Sequence, residues 1–459
     1  MDILLNLNNT INKIIWGPLL ITLIIGVGLY ISIGIKFLQI RHLGKVFKET
    51  FLKAKKPKEK GGGAAAAGAG DISPFQALNV ALGGTVGVGN IAGVATAIAL
   101  GGPGAIFWMW VSGVLGMATK FAEVVLSINY REREEGGPMI GGPMMYIKKG
   151  LPKVFHPLAY IFAVFGALAA FGIGNMAQAN SVADGTLQFG IPRHFTALLL
   201  IVAVGLVTIG GIKRIAQVAM VCVPFMCILY FISGIAILLI NIRSIPDAIW
   251  LILRGAFTGQ AAAGGFAGAT VTYAIRYGIA RGVFSNEAGL GSAPIAHSTA
   301  KTDNPVKQGF WGIMEVFIDT IVICTTTALV IITTGSWASG NTGAMLTMEA
   351  FSKFFGKAIG YSIVVFCMVL TAYDTNLAWC FYGETCTAFL LGHNTRIFYR
   401  ILWLPFVLIG ALGKLEVIWN ICDTLNGLMA LPNIIALIIL GPVVFKLTKN
   451  YLNSEATTG

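Results

Sequence analysis

The chain predicts an all-α integral membrane protein of about eleven transmembrane helices, ten of them forming two five-helix repeats of opposite orientation. Three observations carry that prediction. Hydrophobic residues make up 56% of the 459 positions and charged residues only 11%, against about 25% charged in soluble domains. Apolar runs long enough to cross a bilayer recur from one end of the chain to the other. Two of these runs are interrupted by glycine-rich stretches that resemble each other, Gly83 to Gly93 and Phe284 to Pro294, each with an Asn followed at +2 and +3 by Ala-Gly. Broken backbone inside a bilayer is tolerated only where it is buried in protein or lines a cavity. A pair of such breaks at matching positions of two halves points to the central site of a transporter.

The elements follow in order. Residues 1–60 hold a first span, 14–37, and the basic strip Lys36 to Lys60 behind it. The positive charge lies after the apolar run and no small-residue cleavage site follows, so this is an uncleaved helix with its N-terminus outside and its basic strip on anionic lipid in the cytoplasm. Residues 61–70, only Gly and Ala, read as a flexible linker. Residues 71–241 form the first repeat, with spans at 72–100, 104–130, 154–189, 195–212 and 214–241. Asn241 to Thr258 reads as an amphipathic segment on the outer surface. With that segment, residues 242–447 form the second repeat, spans 262–296, 308–334, 359–391, 397–413 and 417–447, and 448–459 form a cytoplasmic tail. Five is odd, so the second repeat inserts upside down, and each break falls in the first span of its five. Lys and Arg concentrate in the segments this topology places inside, which predicts a bacterial or archaeal inner-membrane (cell-membrane) protein with its N-terminus out and its C-terminus in.

Other classes fit poorly. The net charge of +12 would suit nucleic acid, but the basic residues flank spans, so membrane lipid is the expected partner and nucleic acid is not. The seven cysteines lie in or beside apolar segments without zinc or disulfide spacing, and the five histidines are scattered. A membrane enzyme would need a nucleophile–base pair or a metal cluster, and a channel would need rings of like charge. The expectation is no catalytic residue and no cofactor.

The chemistry should sit at the breaks. A helix interrupted at mid-membrane exposes N–H groups at one half-helix end, suited to a carboxylate, and C=O groups at the other, suited to Na⁺ or an ammonium. At the first break Thr85 adds a hydroxyl and Asn90 an amide. At the second, Phe284 can cap a pocket, and Glu287 reads equally as a structural carboxylate paired with an Arg or as a coupling group. Span 154–189 offers Asn175, Gln178 and Asn180, which should face the interior. In span 359–391, Thr371 and Thr375 lie one turn apart and Trp379 continues their face. A hydroxyl pair beside the carbonyls of the first break suits hard oxygen coordination of Na⁺. Asp374 is an intramembrane carboxylate and so a candidate for coupling or selectivity. Glu315 with Asp319, and Asp423 with Asn426, read as structural pairs.

The chain resembles the alanine or glycine:cation symporters. The resemblance runs through Gly89 to Ala97, Gly101 to Trp110, Gly141 to Met144, Gly172 to Met176, Arg281 to Pro294 and Asp423 to Gly427. It implies the leucine-transporter-type fold with one extra N-terminal helix and breaks in helices two and seven. It implies Na⁺-coupled import of a small neutral amino acid, alanine or glycine, by alternating access. By analogy the substrate pocket uses Thr85, Gly89, Gln178, Phe284, Thr375 and Trp379, and the Na⁺ site matches backbone near Gly83 and Val86 with Thr371 and Thr375. Two departures stand out. Where relatives that carry alanine tend to have Ser-Thr-aliphatic, this chain has Asp374-Thr375-Asn376, and it has Gly87-Val88-Gly89-Asn90 where Gly-Thr-Gly-Asn is common. The added acid and amide open an alternative, a larger polar amino acid such as glutamine with proton coupling through Asp374.

Overall fold

A computed structural model describes residues 8, 10–12, 15–52, 69–258, 271–413 and 415–458. Most of the expected linker, 61–68, and the start of the span at 262–296 lie outside the described residues. Sixteen helices matter here. They are α1 (Pro18–Gly34), α2 (Pro74–Thr85), α3 (Val94–Gly101), α4 (Ala105–Tyr130), α5 (His156–Ala169), α6 (Ala177–Leu187), α7 (Arg193–Thr208) and α8 (Gly211–Ile240). They continue with α9 (Ile245–Phe257), α10 (Val271–Asn286), α11 (Ala293–His297), α12 (Pro305–Val316), α13 (Thr325–Thr333), α14 (Gly343–Leu391), α15 (Thr395–Leu412) and α16 (Leu415–Thr458). Among the described residues seven helices are long and apolar enough to cross a membrane, or eight if the bent pair α2–α3 is one span, and two shorter apolar helices lie at Leu19–Gly34 and Arg193–Thr208.

Local sequence explains the boundaries. At the start of α2, the Ser73 hydroxyl accepts from the Gln76 N–H while the Gln76 side chain accepts from the Ser73 N–H, and Pro74 occupies the first helical position. The expected surface segment is α9, amphipathic and led by Pro246. Wide turns of seven and eight residues interrupt two spans, at Ala170–Met176 between α5 and α6 and at Phe317–Cys324 between α12 and α13. Such bulges re-aim side chains and often mark functional positions.

Lipid tails are as apolar as Leu, so helix association rests on close packing of small residues and on internal hydrogen bonds. A side chain at Gly174 would collide with Trp379, and one at Gly383 with Tyr399. Helix α4 packs against α10 and α12, and α3 against α10. Helix α14 packs against α5, α6, α8 and α15, while α2 touches the first set through α12 and the second through α8 and α14. The first broken helix is thus wedged between two helix groups.

Three features depart from the sequence reading. A short hairpin, β1 (Glu132–Arg133) with β2 (Met139–Ile140), follows α4. Gly356, at φ 76°, interrupts α14, so the stretch before it is a separate helix leading into the span. Helix α16 continues through the expected tail to Thr458, where Lys45 Nζ meets the Glu455 carboxylate at 2.6 Å.

Candidate substrate and cation site

Both breaks exist. In the first, α2 ends at Thr85, Val86 takes an extended ψ of 92°, and a wide turn over Gly89–Gly93 restarts the helix with a bend of 49°. In the second, α10 runs on through Asn286, so the interruption begins at Glu287 rather than Phe284. Glu287 (φ 55°), Gly289 (φ 92°) and Gly291 (φ 81°) all take left-handed backbone there. For Glu287 that conformation is strained, and non-glycine residues hold it only where the surroundings enforce it.

The two Asn residues of the paired motifs brace the two breaks. Asn90 Oδ1 accepts from the Gly87 N–H at 2.9 Å, and Asn286 Oδ1 accepts from the Ala288 N–H at 3.0 Å. Each donates its amide to the same wide turn. Asn90 Nδ2 reaches the Asp319 carboxylate at 2.7 Å, and Asn286 Nδ2 reaches Thr320 Oγ1 at 3.1 Å. Ser285 adds a second donor to Asp319 at 3.1 Å. Asn90 therefore braces the break.

The N–H groups freed by the second break are capped. Glu123 Oε1, from α4, accepts from the Gly289 and Gly291 N–H groups at 3.1 Å each and from Asn433 Nδ2 at 2.6 Å. Glu287 accepts from Trp379 Nε1 at 2.9 Å and from Ser292, so an indole and a hydroxyl stand where an Arg was one expectation. Beside them lies a fully buried pair, Lys120 Nζ to Glu315 at 3.2 Å, with His297 Nε2 on the same carboxylate at 2.9 Å. The sequence reading missed Lys120 and Glu123 as partners. Two charges three residues apart inside an apolar run were the available signal.

At the first break, Thr375 Oγ1 donates to the Gly83 carbonyl at 2.8 Å and to the Thr371 carbonyl at 2.9 Å. This fastens α14 to the last turn of α2. A carbon added to Gly87 would lie 3.0 Å from Thr375 Oγ1 and 3.7 Å from Gln178 Oε1. Gln178 donates to the Ile173 carbonyl at 3.0 Å, while its own carbonyl oxygen is buried without a partner among the described residues. Gly89 packs on Phe284 and Ser285. The Thr85 and Thr371 hydroxyls bond back to their own helices, at Ala81 and Met368. Trp379 packs on Gly174 and is bonded to Glu287. Val86, Gly87, Asn90 and Thr371 line a cavity of about 10 Å³, room for one water-sized group, against Met226 and Tyr230 of α8. Phe284, Gln178 and Trp379 do not line it.

Carbonyl and hydroxyl oxygens gathered at a broken helix inside a bundle of long apolar helices define a multi-pass membrane transporter. The profile of the sodium:alanine symporter family matches residues 1–458, and the chain belongs to that family. It is 46% identical over 455 residues to the sodium/alanine symporter AgcS of Methanococcus maripaludis, covering 97% of each chain. It is 38% identical to the probable sodium/glutamine symporter GlnT of Bacillus subtilis, covering 97% of this chain and 90% of that one. Among solved structures, MhsT in complex with L-phenylalanine aligns with a TM-score of 0.55 at 12% identity over 83% of this chain and 98% of that one, a likeness of fold. The chain is thus a membrane-embedded amino-acid symporter.

Proposed function

We propose that the protein imports a small neutral amino acid, alanine or glycine, together with Na⁺, across a bacterial or archaeal inner membrane. Eleven spans, N-terminus out and C-terminus in, would form the inverted five-plus-five arrangement, and the two helix groups would rock about the breaks to open the site to each side in turn. The observation that carries the substrate reading is the occupancy of the breaks. Glu123 already holds Gly289 and Gly291, so a substrate carboxylate is directed to the first break. The carbonyl oxygen of Gln178, unpartnered among the described residues, is an acceptor for the ammonium group. The close approaches of Gly87 to Gln178 and of Gly89 to Phe284 favour a short side chain. The cation reading rests on oxygens of Gly83, Val86, Thr371 and Thr375, hard ligands suited to Na⁺.

The similarity to a glutamine symporter raises the larger substrate again. The residues that suggested it lie elsewhere: Asn376 Oδ1 accepts from Trp403 Nε1 at 3.2 Å, and Asp374 packs on Gly83. These contacts support the smaller substrate. The test is uptake of labelled alanine, glycine and glutamine into proteoliposomes, with and without an inward Na⁺ gradient, and with a proton gradient alone. Alanine or glycine uptake that needs Na⁺ is expected. Preferred glutamine uptake would overturn the substrate reading, and equal uptake on a proton gradient without Na⁺ would overturn the coupling.

A further inference from the structure

A second polar cavity opens on the face that carries the β1–β2 hairpin, and it shares no lining residue with the cavity at the first break. Its volume is about 350 Å³, room for a polyatomic group rather than a single water. The two helix groups each supply a wall. Asp71, just before α2, and Arg133 of the hairpin come from one side. Glu384 of α14, Arg396 and Arg400 of α15 and Lys213 at the start of α8 come from the other. The hairpin is tied to the first group. Arg131 donates to the Ser298 and Ala300 carbonyls at 2.7 Å each, just after α11, which packs on α4, and Asp71 accepts from the Met139 N–H at 2.6 Å.

The charges there do not cancel. Asp71 takes Arg133 Nη1 at 3.2 Å, and Glu384 takes Arg396 Nη1 at 3.1 Å and Arg400 Nη2 at 2.9 Å. Glu134, behind the wall, takes Arg396 Nε at 2.8 Å and His393 Nδ1 at 3.0 Å. Three carboxylates thus face four permanent cations and a histidine. Lys213 meets no carboxylate among the described residues. Arg133 is half exposed and uses only Nη1, and the buried Nη2 of Arg396 has no acceptor among the described residues. Gly210 and Gly211 bring the start of the 30-residue helix α8 to the same cavity, with no side chain capping it. The N–H groups of a first helical turn lack partners within the helix and carry partial positive charge. Donors on three elements around one space call for a ligand with oxygens in several directions. A phosphate group has them, whereas a carboxylate offers two in one plane.

We propose that this cavity binds a phosphate-bearing anion, which joins the two helix groups across it and slows transport by resisting their parting. Its source is a soluble phosphate compound or an anionic lipid headgroup.

The experiment has two readouts. Equilibrium dialysis of ³²P-labelled inorganic phosphate against the purified full chain in neutral detergent, with chloride or acetate matching the ionic strength, reads binding. Alanine uptake into phosphatidylcholine vesicles, with phosphate on both sides, with phosphatidylglycerol added to the membrane, or with neither, reads the effect. Phosphate should bind saturably and slow wild-type uptake. The double variant Arg133→Gln, Lys213→Gln should bind about tenfold more weakly and escape the slowing, while transporting as wild type does when neither anion is present. That last comparison separates loss of the site from misfolding. If phosphatidylglycerol slows the wild type but not the variant, and free phosphate does not bind, the ligand is a lipid headgroup; slowing by phosphate alone assigns a soluble compound. Neither anion binding or slowing uptake, acetate or chloride acting as strongly as phosphate, or a variant that responds like wild type would each overturn the proposal. Saturable binding that leaves uptake unchanged would overturn the joining of the two groups.

Discussion

Removing the Glu123 side chain tests whether a carboxylate from a neighbouring helix holds the second break open. In Glu123→Ala three buried N–H groups lose an acceptor: those of Gly289 and Gly291 and one of the two on the Asn433 amide, whose other N–H keeps the Gly289 carbonyl. Each stranded buried donor costs about 1–3 kcal/mol, so the low end for three is about 3 kcal/mol, a large part of the marginal stability of a folded chain. Glu123→Gln separates acceptor from charge. It keeps one carbonyl oxygen for those donors but loses the charge, and charge-assisted hydrogen bonds are about twice as strong as neutral ones, so it should lose about half as much. Fluorescence-detected size exclusion after graded heating reads stability, and alanine uptake into proteoliposomes reads function. The order wild type, Gln, Ala is expected in both. An Ala variant that melts with wild type would refute the accounting, because it would mean that water or a rearranged backbone satisfies those N–H groups at no cost.

Other perturbations follow from the same geometry. Gly174→Ala places a methyl against the base of Trp379, and overpacking of that kind costs about 1–3 kcal/mol; the uptake rate should fall, and a fully active variant would show that Trp379 has room to move. Gln178→Gly and Trp379→Phe should each admit larger amino acids in competition assays, by the roughly 1–3 kcal/mol that a pocket assigns to one methylene; an unchanged ranking in both would take these residues out of the pocket. Asn376→Ala should lower the melting temperature by stranding Trp403 Nε1 and leave the ranking of alanine, glycine and glutamine as it was; a shift in that ranking would restore the larger-substrate reading.

The sequence made the breaks legible because glycine and Asn inside an apolar run have few other uses, and both helices do part there. The hydroxyl ladder was legible too: Thr371 and Thr375 recur at one helical turn, and Thr375 meets the Gly83 carbonyl. What stayed hidden was the direction of side chains at non-helical backbone. No period governs the phase after Val86, so nothing in the chain could tell that Asn90 turns to Asp319. On a regular helix the neighbours of Thr375 point about 100° to either side. Asp374 thereby faces Gly83 and Asn376 faces Trp403, a divergence that requires knowing which helices stand on each side. The second break starts three residues after Phe284 because Asn286 caps it downstream, a choice between two local partners that only the packed structure makes.

Lys120 and Glu123 also bear on how the chain is made. Both sit in the middle of α4, and their partners Glu315, Gly289, Gly291 and Asn433 are all synthesised later. A charge at the centre of an inserting helix costs about 2.5–3.5 kcal/mol on the insertion scale, and until α10 and α12 arrive the only compensation within α4 is the attraction of the two charges for each other, three residues apart. During biogenesis α4 is thus a helix waiting for company, best kept beside the insertion machinery until the second half emerges. A fragment ending before α10 would carry that debt permanently, so the part of the chain before α10 is not a separable piece.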